Sequence, residues 1–176
     1  MSGLARMSSA AIYSLCAVSA AVAAVTAASA ADERRWRVFE QDEGALLSPS
    51  RSDEATDDLG SPSFRCKAKS GTIAVTGDAS QELRNAVADL LRSNGYPQVG
   101  MVPAGRYGQT LLNVSYSEAG SLWEYSFEME ADAPAFDALK RTGRLTFKIG
   151  KTTIREEFKS GLETIAKFQS ICARPK

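Results

Sequence analysis

Three carboxylates, Glu124, Glu128 and Glu130, recur at even positions in one stretch of the chain. Paired carboxylates at a fixed separation perform acid/base and nucleophilic work on glycosides. Such chemistry needs one carboxyl shielded from water so that it keeps its proton near neutral pH. The same spacing is also what a solvated strand face looks like, and both readings stand. Other reaction chemistries are narrowed by composition. The chain has no histidine, which removes Ser-His and Cys-His nucleophile pairs and the commonest metal ligand. If its cysteines are bonded, a zinc site would have only carboxylates to draw on, so neither a metal nor a cofactor is expected. Gly150-Lys151-Thr152-Thr153 echoes the end of a phosphate-binding loop. Such a loop requires a glycine five residues before Gly150, where Leu145 stands, and a helix after it. A hairpin turn is the expectation there.

A second group that invites a ligand is basic. Lys140, Arg141, Arg144, Lys148, Lys151 and Arg155 fall close together near the C-terminus. Across the chain 21 Lys and Arg balance 21 Asp and Glu, so no global field favours nucleic acid or a membrane. The charges are nevertheless segregated. Asp32 to Pro62 carries nine acids and four bases, and Lys140 to Lys176 carries ten bases and three acids. Either the two ends of the chain meet, or they form separate surfaces. The basic cluster reads as a possible binding surface for an anionic partner, or as the solvated face of a strand and a helix end.

The compartment is read from the N-terminus. Arg6 is the only charge before Asp32, Ala10 to Ala31 is apolar, and the run ends Ala28-Ser29-Ala30. A basic start, an apolar stretch and a small-residue cleavage site read as a secretory signal peptide over 1–30. Cys16 follows Tyr13-Ser14-Leu15, which is not the small-residue pattern of a lipid-modified cysteine. Cleavage after Ala30 leaves about 146 residues of the 176, one ordinary domain. It also leaves two cysteines, Cys66 and Cys172. In an exported chain an even count reads as a disulfide, with two buried free thiols as the alternative.

These residues must be positioned by the elements around them. Arg34 to Glu40 alternates as a first strand, and Gly44 to Ser48 reads as a second. Ser48 to Pro62 is rich in Ser, Asp, Pro and Gly and reads as a surface loop. Its aspartates lack the spacing of a calcium loop. Ser63–Ala68 and Thr72–Thr76 form a hairpin around Gly71, with Phe64 and Cys66 on one side. Asp78 to Ser93 reads as a helix capped by Asp78, with Leu83, Val87, Leu90 and Leu91 as its stripe and Asn94-Gly95 as its stop. Gln98–Pro103 reads as an edge strand, and Ala104–Gly108 as a loop.

Leu111–Ser117 and Leu122–Glu130 are the clearest strands. In the second, Trp123, Tyr125, Phe127 and Met129 alternate strictly with polar residues, so they should face the core. Asp132 to Gly143 reads as a short helix capped by Asp132 with Pro134 in its first turn. Leu145, Phe147 and Ile149 share one side of the next strand, and Ile154, Glu156 and Phe158 one side of its partner. Ser160 and Glu163 have the spacing of a capping box for a last helix whose face is Leu162, Ile165, Ala166, Gln169 and Cys172. Hairpins mixed with three short helices give an α+β class: one domain, mostly antiparallel sheet, with the C-terminal helix packed on the sheet. Within it, 31–62 supplies the first strands and the acidic loop, and 63–176 the remainder.

At Trp36-x-Val38, Phe64-x-Cys66, Phe136-x-x-Leu139, Gly143-x-Leu145 and Gly161-Leu-x-x-Ile165-x-x-Phe168-x-x-x-Cys172, the chain resembles small exported proteins of alphaproteobacteria, of the invasion-associated locus B type. Where that family has a cysteine soon after its first Trp-x-Val, this chain has Phe39-Glu40. The resemblance implies a periplasmic β-rich domain without established catalysis. It carries over no functional residue.

Three functions are compatible with these features. One is a non-enzymatic periplasmic protein that binds another envelope protein or component, with no nucleic acid and no stable membrane insertion. The second is a carboxylate-dependent hydrolase using Glu128 and Glu130. The third is a small inhibitor of a cell-wall enzyme, presenting Pro103 to Gln109. A cleft holding both glutamates, with one carboxyl shielded, would favour the second.

Overall fold

The alternation of Leu122–Glu130 makes it a strand, β8, with Tyr125, Phe127 and Met129 on its buried side. The fold is seen in a computed structural model that describes residues 34–53, 58–106 and 108–175; the expected signal peptide lies outside the described residues. The other strands are β1 (Arg35–Gln41), β2 (Gly44–Ser50), β3 (Ser63–Lys67), β4 (Thr72–Asp78), β5 (Gln98–Met101), β6 (Gln109–Leu111), β7 (Asn113–Ser117), β9 (Arg144–Ile149) and β10 (Thr152–Glu157). The helices are α1 (Gln81–Arg92), α2 (Pro134–Thr142) and α3 (Ile165–Cys172).

All strand pairs are antiparallel. One sheet runs β1-β2-β3-β4-β8-β7, the other β10-β9-β5-β6. The class is α+β, as the sequence predicts. Register carries the period-two pattern across the larger sheet. Phe64 stands opposite Val75, Val75 opposite Phe127, and Ile73 opposite Met129. These side chains meet the inner face of the smaller sheet, with the rings of Phe127 and Phe147 5.2 Å apart and those of Tyr125 and Phe147 5.6 Å apart. Phe136 of α2 and Phe168 of α3 extend this core, since Phe136 lies 5.8 Å from Phe64 and 6.0 Å from Phe168.

The final segment is fastened to the larger sheet at two places, edge strand β1 and interior strand β3. Trp36 is fully buried between Phe64 and Phe158. Its ring N–H donates to the Phe158 carbonyl at 2.8 Å, and its backbone N–H to the Ser160 carbonyl at 2.8 Å. At the second place, Cys66 on β3 and Cys172 on α3 are joined by a disulfide, with Cα atoms 5.7 Å apart. Backbone bonds from Lys69 to Ile171 and from Gly71 to Cys172 sit beside it.

Several local expectations are corrected. The capping box does not form. Gly161 adopts a left-handed φ of 76°, where a side chain would strike the Trp36 backbone at 2.8 Å. The chain therefore enters a 3₁₀ turn at Leu162–Thr164 before α3 begins. This phase buries Ile165, Phe168 and Cys172 and leaves Ala166 exposed. Asp78 does not cap α1, because it still belongs to β4 opposite Glu124; Ser80 Oγ accepts from Leu83 N–H instead. Leu91 is exposed, since it lies about 80° around the helix from Leu83. Asp132 does not cap α2, whose start has Ala133 at that position and Pro134 within its first turn.

Ser48–Ser50 is not surface loop. It completes β2, fully buried at both serines, and the returning chain bonds it through Ser48 Oγ to the Gly60 carbonyl at 2.9 Å. Gln98–Met101 is an interior strand between β9 and β6 rather than an edge. The stretch 111–117 is not one strand: it breaks at the buried Leu112, whose N–H turns to the Pro97 carbonyl as the chain passes from one sheet to the other. Trp123 lies at the margin of the core, half exposed, with its ring edge-on to Tyr116.

Candidate functional site

The break at Leu112 opens a concavity beside β8. β7 pairs with β8 only as far as Asn113 opposite Ser126. Beyond that point β6 pairs with β5 while still running near β8, and among the described residues no strand pairs with the C-terminal end of β8 on that side. The space left is a cleft of about 410 Å³. Val99, Met101, Met129, Ala131 and Ala133 give it an apolar floor, and Arg106, Glu128, Glu130, Asp132 and Arg174 give it a charged rim. This combination of an apolar base with a few polar groups is that of a ligand site.

Two contacts shape the rim. The backbone N–H of Arg106 donates to Glu130 Oε2 at 3.2 Å, drawing Gly105 and Arg106 against β8. Arg174 Nε donates to the Ser70 carbonyl at 3.1 Å while its side chain lies over Gly71, where a Cβ would come within 2.4 Å of it. Glu128, Glu130 and Asp132 take part in no ion pair among the described residues.

The cleft thus brings together both glutamates of the hydrolase reading, but Glu128 and Asp132 are exposed and Glu130 is half buried. The carboxyl that is shielded belongs to Glu156. It projects from β10 in phase with the buried Ile154, and burial, reinforced by the nearby Asp78, pushes its pKa up to about 7. Its neighbour is the Tyr125 hydroxyl, itself raised by burial and by the charge of Glu156. The two are close enough to interact, yet the hydroxyl makes no well-formed hydrogen bond with any described group. Neither residue lines the cleft.

Glu156 has a consequence for stability. Its native pKa is raised above the unfolded value, so between about pH 4.5 and 7 the native state holds a proton that the unfolded chain has released. Stability is then expected to fall with rising pH across that window and to level off above it. Glu156→Gln should flatten the decline and be the more stable form above pH 7, by on the order of 1–2 kcal/mol after allowance for solvent screening. Urea titrations at pH 5 and pH 8 measure this. A decline of equal slope in the variant would assign it to other groups.

The basic residues divide. Lys140 is tied to Asp137 at 3.0 Å and to Gln169 at 2.8 Å, and this contact holds the Asp137 carboxyl below its usual range. Arg144 pairs with Glu157 at 3.0 Å. Arg141, Lys148, Lys151 and Arg155 are exposed and form no ion pair among the described residues. Arg155 stands opposite Thr146, between Arg144 and Lys148 in register, so these three share the outward face of the smaller sheet. Lys151 sits in the β9–β10 turn, while Lys140 and Arg141 belong to α2.

Among the described residues no three metal-ligating side chains converge, and no helix is long and apolar enough to cross a membrane. No family model, no curated protein and no solved structure matches the chain.

The sequence signal for Glu156 was present in its phase, since it occupies the same side of its strand as Ile154 and Phe158. The floor residues Val99, Met101 and Met129 carried no such signal, because they read only as core.

Proposed function

We propose that this protein is an exported binding protein of the cell envelope that holds its partner in the cleft beside β8 and performs no catalysis. The observation that carries this reading is the cleft itself, with an apolar floor and carboxylates that stand open to water. A carboxyl that must deliver a proton near neutral pH needs shelter, and Glu128 and Glu130 have little. The absent histidine and the two cysteines joined in a disulfide favour the same conclusion. Export rests on the N-terminal residues, and the resemblance to the invasion-associated locus B type supports a periplasmic setting.

The outward face carrying Arg144, Lys148 and Arg155 is the second candidate contact, favoured by the register that gathers them. The two surfaces are separable. Thr110→Trp would fill the cleft, since Thr110 lines it from β6; a triple Lys148→Glu, Lys151→Glu, Arg155→Glu variant would reverse the exposed face. Crosslinking in periplasm, followed by mass analysis, is expected to yield an adduct that Thr110→Trp removes and the triple variant keeps. The opposite pattern would transfer the function to the basic face, where capture should also weaken with salt. A turnover abolished by Glu128→Gln would replace the binding reading with a hydrolytic one.

A further inference from the structure

Side chains on a strand alternate between its faces, so a depression on one face touches every second residue. The cleft touches Glu128, Met129 and Glu130 in succession on β8, and Gln109 and Thr110 in succession on β6. It therefore meets both strands at their edges. On β8 the hydrogen bonds fix which residues face it. Ala131 N–H bonds the Gly71 carbonyl, and the Trp123 carbonyl accepts from Ala79 N–H. Odd-numbered residues of β8 thus turn their main-chain groups toward β4, and even-numbered ones toward the opposite side. There β7 serves Glu124 and Ser126, but it has ended before Glu128. The Glu128 amide and carbonyl face the cleft, and among the described residues no strand pairs with them.

We propose that the cleft receives an extended peptide segment of an envelope protein, added antiparallel to the free edge of β8, with basic side chains opposite Glu128 and an apolar side chain between them. This rests on the cleft being the binding site. Main-chain pairing at an open sheet edge supplies affinity that is indifferent to sequence, and alternate side-chain pockets supply selectivity. The inward-facing residue of such a segment would meet Met129, Val99 and Met101. The outward-facing residues would lie on the side of Glu128 and Glu130, where opposite charges across a strand pair are favourable and like charges are not. Among the described residues carboxylates outnumber guanidinium groups on the rim by three to two, and Arg174 is already held to Ser70. Antiparallel addition continues the pattern of every strand pair in the fold.

Fluorescence anisotropy with the intact disulfide-bonded protein tests this. The probe is a labelled, capped heptapeptide alternating lysine and valine. Two controls are its glutamate–valine counterpart and the same lysine–valine peptide N-methylated at its lysines. Saturable binding below about 1 mM is expected for the probe, and about tenfold or more weakening for each control. Glu128→Pro, which deletes the free amide without touching the β4 side, should weaken the probe similarly. Glu128→Lys is a second variant that keeps the free amide and the Glu130–Arg106 bond and should invert the preference toward the glutamate peptide. Equal binding of the N-methylated peptide would overturn strand addition, and equal binding of the glutamate peptide would overturn the charge assignment. If the probe does not bind while a Thr110→Trp-sensitive periplasmic adduct persists, the peptide proposal is wrong and the cleft reading stands. Loss of both defeats the cleft reading as well.

Discussion

Trp36→Ala is expected to cost about 3–5 kcal/mol, the range for deleting a fully buried aromatic side chain. With total stabilities of about 5–15 kcal/mol for domains of this kind, that loss consumes much of the margin. The residue does more than fill space. Its ring N–H satisfies the Phe158 carbonyl and its face contacts Phe64 and Phe158, so its removal leaves a cavity and an orphaned acceptor together. Trp36→Phe separates these effects, because it keeps most of the apolar volume and loses the donor. The phenylalanine variant should retain more than half of the lost stability in urea titrations. An alanine variant within about 1 kcal/mol of the parent would show that the 158–164 segment is held by something other than this side chain.

The second large effect is expected on breaking the Cys66–Cys172 bond. The two residues are 106 positions apart. A loop near 100 residues gives about 4.7 kcal/mol in the chain-entropy treatment, and removal of native disulfides typically costs about 2–5 kcal/mol. Cys172→Ser with Cys66→Ser, compared with the parent in the absence of reductant, should therefore lower Tm by several degrees or more. The double variant avoids a stray thiol. Added reductant should shift the parent toward the variant and leave the variant unchanged. A Tm equal to that of the parent would mean that the backbone bonds at Lys69 and Gly71 already fix the C-terminal end of α3.

What could be read from the residues was whatever repeats locally. Tyr125, Phe127 and Met129 face the core because period-two alternation forces them to one side of β8. The β3–β4 hairpin follows from Gly71, and the end of α2 from Gly143, which takes a left-handed φ of 68°. Composition misled where burial came from contacts distant in sequence. Ser48 and Ser50 have the chemistry of a loop; the returning chain at Gly60 satisfies the Ser48 hydroxyl inside, and the Ser52 backbone satisfies that of Ser50. Ser160 and Glu163 have the spacing of a cap, but Trp36, more than 120 residues earlier, claims the Ser160 carbonyl. The cleft was hidden for the same reason. It depends on where β7 stops relative to β8, which is a matter of register, and no pattern within β6, β7 or β8 alone announces it.

The attachment of the last segment to the first also sets the order in which the fold can be completed. Trp36 waits for Phe158 and Thr164, 122 and 128 positions later, and Cys66 waits for Cys172. A chain emerging N-terminus first can assemble the β1–β4 meander early, but the inner face of that sheet stays open until nearly the whole polypeptide is present. Contacts of such long sequence separation slow folding, because loop closure is met before any reward. The molecule is therefore one that closes late and all at once, with its C-terminal helix acting as the latch.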